Sequence, residues 1–303
     1  MKITILGAGA MGSLFGGRFA QAGLDVQLLD VNQEHIDAIN HTGLHLDLDD
    51  GQYTIRLPAL RPEEATDIAD LLIVFTKTFH TRVALAAAQH LIDDSTHVLS
   101  VQNGLGNLER IADFVPHGRI IIGMTDSPAD FLGPGRVASH GRSRTTLMLA
   151  DGQKTPFLDK VHGAFEAAGV VTIIDPDVWV GIWEKVAFNV ALNAICGITR
   201  ATPGTLVQSS ASLALANAVA SEACAAARAN QVNVDEDRVH STIEKSCHEH
   251  ANHKPSMLQD LLAGRRTEVD SLNGAVVERA KQVGMEAPLN EMLYRLVKLA
   301  EMA

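Results

Sequence analysis

The chain has 303 residues, 46% of them apolar and 20% charged, close to ordinary globular proteins; a disordered or fibrous chain is excluded, and length alone suggests two domains. Twenty-five Lys and Arg against thirty-six Asp and Glu leave a formal charge of −11. With no visible basic patch, nucleic acid is not expected as a partner. Cys196, Cys224 and Cys247 are an odd, scattered set, which suits a reducing, cytoplasmic compartment rather than a disulfide framework.

Residues 2–6 (KITIL) read as a strand, 7–12 as a turn, and 11–22 as a helix that stops at Gly23. Lys2 and the apolar run after it also resemble a signal peptide, but the glycines at 7, 9 and 12 and then Arg18 break the run. Residues 25–30 (DVQLLD) form a second buried strand, and a short helix covers 33–40. Residues 45–57 alternate about Asp50-Gly51, as a hairpin does. Short apolar strands follow at 71–75, 97–101 and 120–123, mostly separated by helical patterns. Such alternation indicates an α/β fold, a Rossmann-type doubly wound parallel sheet with right-handed crossovers.

Two further strands are expected within 136–150, turning at Gly141, then a helix over 155–168 and a strand over 170–174. From Trp179 onward the pattern is helical, long and Ala-rich. The domains are therefore expected at 1–175, an α/β unit, and 176–303, an all-α unit. No Gly/Ser linker separates them, so close packing with a cleft between them is expected. The Ala-rich stretch 211–227 is interrupted by Ser212, Asn217, Ser221 and Glu222 and reads as a packed helix, so no membrane partner is expected.

Gly7-Ala8-Gly9-Ala10-Met11-Gly12 fits G-x-G-x-x-G after a strand and before a helix, the context of a dinucleotide site. The first glycine permits the tight turn, the second lets backbone approach a pyrophosphate, and the third lets helix and strand pack closely. The helix start then offers free N–H groups and a positive dipole end. Asp30 ends the next strand, where a carboxylate accepts hydrogen bonds from a ribose diol and repels a 2′-phosphate. Val31 and Asn32 follow, and no Arg or Lys lies in the next ten residues. NAD(H) is therefore favoured over NADP(H).

Residues 179–195 (WVGIWEKVAFNVALNAI) place Lys185, Asn189 and Asn193 on one side of an otherwise apolar helix. A solvated face would more often carry Glu, Gln or Lys than two asparagines, so the stripe reads as a site. Another helix begins at Ser256, read as its N-cap with Gln259 completing a capping box. Arg265, Arg266, Glu268 and Asp270 follow and look, by themselves, like surface charges on that helix. Cys247, His248, His250 and His253 could in principle gather a metal on one helix, but a solvated His-rich face accounts for them, and no metal is expected.

Together these residues resemble ketopantoate reductases (2-dehydropantoate 2-reductases) over nearly the whole chain. The resemblance rests on the glycine block; on Thr76-Lys77; on Gln102-Asn103-Gly104-Leu105-Gly106; on Trp183-Glu184-Lys185-Val186 through Asn189 and Asn193; and on Ser256-Met257-Leu258-Gln259-Asp260, Arg266-Thr267-Glu268-Val269-Asp270 and Asn273-Gly274. It implies an NAD(P)-dependent enzyme of pantothenate biosynthesis that passes hydride to C2 of a 2-oxoacid branched at C3. Lys185 would then be the general acid and Glu268 would hold and tune it. Asn189, Asn193 and Ser256 would bind substrate, Asn103 would lie by substrate and nicotinamide, and Lys77 near the cofactor. Gly7, Ala8, Gly9, Ala10, Met11, Gly12 and Asp30 complete the cofactor set. Family relatives that act on other bulky 2-oxoacids, such as mandelate-type D-2-hydroxyacid dehydrogenases, are the alternative, and the Asp30-Val31 pair favours such an NAD-type member. A non-catalytic NAD-binding sensor explains the glycines but not the lysine–asparagine stripe. Long apolar helices in the second domain suggest a homodimer.

Overall fold

The computed structural model describes residues 1–302. Contacts divide the chain into two compact units, Met1–Gln102 with Asn107–Val178, and Asn103–Gly106 with Trp179–Ala303. The first unit opens with β1 (Lys2–Leu6), α1 (Ala10–Gln21), β2 (Asp25–Leu29), α2 (Gln33–Thr42), β3 (Leu44–Leu48), β4 (Gly51–Ile55), β5 (Ala59–Leu60) and β6 (Leu71–Val74). It continues with α3 (Thr81–Ala87), β7 (His97–Ser100), α4 (Asn107–Ala112), β8 (Ile120–Thr125), β9 (Asp130–Gly133), β10 (Arg136–Ser139), β11 (Arg144–Leu149), α5 (Pro156–Ala167) and β12 (Val171–Ile174).

Eight strands make the main sheet, in the order β12-β11-β8-β7-β6-β1-β2-β5. From β5 to β8 every neighbour is parallel, but β11 pairs antiparallel with β8, and β12 follows β11. The expected all-parallel sheet is thus reversed at one edge. A parallel return needs a long crossover, usually a helix. The chain between β8 and β11 instead leaves to build β9 and β10, and comes back antiparallel.

Those two strands join β3 and β4 in a second sheet, ordered β4-β3-β10-β9. The Asp50-Gly51 hairpin forms there, with Leu46 opposite Tyr53. The two strands expected within 136–150 exist but belong to different sheets. Pro134-Gly135 turns β9 into β10, with Gly135 at φ 69°, a conformation open to glycine at little cost. The small sheet lies against α1, where a Cβ on Gly17 would come within 2.8 Å of Leu46 Cδ1.

The core of this unit is apolar on both sides of the main sheet, as strands covered on both faces require. Ile3, Ile5, Leu71, Ile73, Leu99 and Ile121 are fully buried. Phe15 and Phe19 of α1 meet Phe165 of α5 with ring centroids 5.7 and 5.0 Å apart, tilted and edge-on.

The second unit is all helical: α6 (Val178–Thr199), α7 (Pro203–Leu206), α8 (Ser210–Ala229), α9 (Glu236–Glu249), α10 (Ser256–Leu262), α11 (Asn273–Gln282) and α12 (Pro288–Ala300). The Ala-rich stretch is α8, and Ala216, Ala220, Ala223 and Ala227 are buried along it. Among the described residues no helix is long and apolar enough to cross a membrane. Glu222, which interrupts the apolar run, accepts the Leu289 and Asn290 backbone N–H groups at 2.9 Å and so caps α12. The Asn290 side chain donates to the Val219 carbonyl, and Asn273 donates to Asn290 Oδ1 and the Val190 carbonyl. One buried polar chain therefore ties together α8, α12, α11 and α6.

Burial pushes the imidazoles of His35 and His97 below their ordinary value, opposed at His35 by the charge of Asp30. His97 stacks on Phe157 with ring centroids 3.8 Å apart. A histidine with a depressed folded-state pKa contributes stability that is fully present above its unfolded value, about 6.5, and is lost as pH falls from there towards the folded value. Urea midpoints should therefore drop on acidification from about pH 7.5 to about pH 5. The drop should be shallower in His97→Phe, and an unchanged slope would show that His97 does not contribute to it.

Candidate functional site

The glycine turn sits at the carboxyl end of β1, where the chain order switches: β2 lies to one side of β1 and β6 to the other. Open α/β sheets bind ligands at such a point. Gly7 has φ 97°, and a Cβ there would stand 2.7 Å from the Thr76 backbone nitrogen. A Cβ on Gly12 would stand 2.0 Å from the Gly7 carbonyl oxygen. A Cβ on Gly9 would meet nothing within 4 Å, so this backbone is bare and open. Gly9 is the N-cap of α1, and Ala10, Met11 and Gly12 are its first turn, whose N–H groups have no partner within the helix. This open, donor-rich turn fits a pyrophosphate.

Ala8 is buried between the glycines, and its N–H donates to Asp30 Oδ2 at 2.7 Å. Asp30 Oδ1 accepts from the N–H groups of Val31 and Asn32. The acid expected to meet a ribose thus also holds the glycine turn, and of its roughly four lone-pair sites one, on Oδ2, remains open. Sequence proximity did miss one cation. Arg61, just beyond β5, donates from Nη1 to the Val31 carbonyl at 3.2 Å, and its Nε pairs with Glu63 at 2.8 Å. The parallel pairing of β2 with β5 brings it there across thirty residues. Glu63 offsets its charge.

Thr76 and Lys77 follow β6 beside the turn, and both are half-buried. Gln102 anchors them: its Nε2 donates to the Thr76 carbonyl at 2.6 Å and to Thr81 Oγ1, while its Oε1 accepts from Ser100. This second function of the Gln102 block was not visible in the chain order.

In the second unit, Asn189 and Asn193 on α6 are 8% and 6% exposed, and Lys185, a turn earlier, is half-buried. The stripe is not a solvated face. Glu184 turns instead to Arg238, with Nε to Oε2 at 2.9 Å, and accepts the Asp235 N–H. Its role is structural.

α10 does not begin with the expected serine cap. Its N-cap is Pro255, and Ser256 is the first helical residue, with no side-chain cap. Gln259 donates to the Lys254 carbonyl instead of closing a capping box. Proline's fixed backbone angle can enter a helix without a side-chain cap, and no capping box forms. The helix also ends at Leu262, so Arg265, Arg266, Glu268 and Asp270 lie on a non-helical connector before α11. There Asp270 accepts from Arg266 and Tyr294, each at 3.0 Å. Burial works against its charge, but these bonds and the Lys298 ammonium hold its carboxyl below the usual range.

The Asn103 turn packs on this connector. Leu105 N–H donates to the Ser271 carbonyl at 2.8 Å, and a Cβ on Gly104, at φ 82°, would stand 2.3 Å from that oxygen. The structure thereby brings Asn103, from the middle of the first unit's sequence, to the segment that carries Glu268.

His250 is the C-cap of α9 and His253 lies beyond it, so they do not share a helix. Among the described residues no three His, Cys, Asp or Glu side chains gather as a metal would require. Burial pushes the Cys196 and Cys224 thiols up to about 12 and raises that of Cys247. They are protonated and poor nucleophiles.

Residues 3–152 match the family model described as ketopantoate reductase PanE/ApbA, and residues 177–301 match its C-terminal counterpart. A 2-dehydropantoate 2-reductase of Pyrococcus abyssi is 37% identical over 302 residues, covering 98% of this chain and 97% of that protein. A D-mandelate dehydrogenase solved with NADH and anilino(oxo)acetate superposes with a TM-score of 0.94 at 32% identity, over 100% of this chain and 99% of that one. A PanE/ApbA family ketopantoate reductase from Ralstonia eutropha gives 0.92 at 32% identity, with the same coverage. The fold, the glycine turn and the matches over both units agree: the chain belongs to the ketopantoate reductase family of oxidoreductases.

Proposed function

We propose that the protein reduces C2 of a 2-oxoacid branched at C3, such as 2-dehydropantoate, to the (R)-2-hydroxy acid, with NADH preferred over NADPH. The observation that carries this reading is the stripe of half-buried Lys185 with buried Asn189 and Asn193, in a chain that also has an open dinucleotide turn. A nucleotide-binding sensor has no need of a half-buried lysine and two buried asparagines on one helix face. When bound, the nicotinamide cofactor supplies the hydride.

Lys185 gives its proton to the carbonyl oxygen as that oxygen gains charge, and its ammonium steadies the developing alkoxide. Glu268 holds and tunes the ammonium. Asn189 and Asn193 orient the substrate's polar groups, Ser256 meets its carboxylate, and Asn103 aligns the reacting carbonyl and the nicotinamide. Lys77, held in place through Gln102, lies near the cofactor. The residues 7–12 and Asp30 carry the dinucleotide. A mandelate-type preference for an aromatic 2-oxoacid is the second reading, supported by Asp30 and by the likeness to the NADH-bound dehydrogenase. A cytoplasmic homodimer is the proposed working form.

Steady-state kinetics with ketopantoate, benzoylformate and 2-oxoisovalerate, each with NADH and NADPH, test these assignments. No turnover of any 2-oxoacid would end the enzymatic reading. Lys185→Ala should lower turnover about 10²–10⁴-fold, the usual loss for a general acid, with little change in NADH affinity. Oxidation of the hydroxy acid needs neutral Lys185 and reduction needs it charged, so wild-type oxidation should rise with pH where reduction falls. A Lys185→Ala variant with near-wild-type turnover and the same pH profiles would assign the proton to another group.

Asp30 is assigned to the ribose diol, and a charge-assisted hydrogen bond contributes about 1.5–3 kcal/mol, roughly tenfold or more in affinity. Wild-type kcat/KM should be higher with NADH. Asp30→Ser with Val31→Arg should narrow or reverse that preference while turnover with NADPH at saturation persists. A wild-type preference for NADPH would overturn the role given to Asp30.

A further inference from the structure

The glycine turn is held from behind by a buried relay that no part of the sequence reading anticipated. Gly135, in the Pro134-Gly135 turn of the small sheet, donates its backbone N–H to His35 Nδ1 at 2.9 Å. A backbone N–H can only donate, so Nδ1 carries the lone pair and the ring proton sits on Nε2. His35 Nε2 stands 3.1 Å from Ser13 Oγ and donates to it. The Ser13 hydroxyl is then left to donate onward, to the Ala8 carbonyl at 2.7 Å. His35 and Ser13 are buried, at 1% and 0% exposure. Burial favours the neutral ring, in line with the direction of these bonds.

Ala8 is thus fixed at both ends, its N–H by Asp30 and its C=O by Ser13. The peptide that follows is shared with Gly9. In a trans peptide the C=O and N–H point in opposite directions, and the chain has no cis bond. Drawing the Ala8 oxygen inward to Ser13 therefore turns the Gly9 N–H outward, into the open space where a Cβ would meet nothing.

We propose that His35, acting through Ser13, is a positioning residue for dinucleotide binding: it aims the Gly9 amide at the pyrophosphate and links that aim to the Pro134-Gly135 turn. The inference rests on the reading of residues 7–12 as the cofactor turn. His35 does not touch the dinucleotide, and its effect passes through the orientation of one peptide group. Phe131 of β9 packs against the imidazole, with ring centroids 5.1 Å apart, so the small sheet both clamps the ring and supplies its hydrogen-bond donor.

NADH affinity measured by fluorescence titration tests this without requiring turnover. Wild type is compared with His35→Phe, Ser13→Ala and the double variant, each first shown to unfold cooperatively above the assay temperature. His35→Phe keeps the ring and its contact with Phe131, and Ser13→Ala removes one buried hydroxyl. Each single variant should weaken NADH binding about tenfold, the scale of one lost directional hydrogen bond. The double variant should be no weaker than the worse single variant, because both act on the same carbonyl. KM for the 2-oxoacid at saturating NADH should stay within about twofold, a split that general loosening of the fold would not produce. An NADH Kd within about twofold of wild type in Ser13→Ala, or fully additive losses in the double variant, would overturn the proposal. Should His35→Phe fail to fold, Ser13→Ala alone decides by the same criterion. A wild-type protein that does not bind NADH would fail the cofactor reading itself, an outcome distinct from unequal binding among the variants.

Discussion

Backbone-to-backbone crowding at the end of β1 is the constraint on which the first unit depends. Gly7 lies against the Thr76 peptide and Gly12 against the Gly7 carbonyl, at separations no Cβ could survive. These contacts let α1 start close above the sheet, between β2 and β6, and leave Gly9 bare. A side chain at either crowded position would lift the helix off the sheet and cover the donors. The same requirement recurs at Gly104, whose backbone meets the Ser271 carbonyl and seats the Asn103 turn on the connector before α11. Both candidate subsites are thus defined by absent side chains as much as by present ones.

Buried polar groups divide the remaining work. Glu222, Asn290 and Asn273 stitch four helices by satisfying backbone groups that would otherwise be costly to bury. Glu184 is spent on Arg238 and Asp235. Asn189 and Asn193 lie on the same helix as Glu184 but on the stripe with Lys185, where their amides can serve a ligand. Three spacings along one helix therefore separate a structural acid from the proposed chemical residues.

The small sheet is more than an appendage of the α/β unit. Its β9–β10 turn supplies the donor that sets the His35 tautomer, and β3 covers α1 through Leu46. The detour between β8 and β11 that builds it is also the reason the main sheet ends in an antiparallel strand. Topology at the sheet edge and support of the glycine turn have one origin.

The sequence by itself determined the elements with strong local periodicity. The strand–turn–helix around residues 7–12, the Asp50-Gly51 hairpin, the change to long helices near 178 and the stripe on α6 are all carried by spacing, and spacing is a property of neighbours in the chain. It failed where neighbours in space are distant in the chain. The sheet to which β10 and β11 each belong, Arg61 beside Val31, the His35 relay to Gly135 a hundred residues away, and Leu105 against Ser271 all come from strand pairing and packing. The capping box at Ser256 failed for a related reason: a local motif states only what a helix start could use, and the path of the chain through Pro255 decided what it did use. Short-range periodicity is written residue by residue, whereas long-range hydrogen bonds arise only when the folded backbone has placed the donor opposite its acceptor.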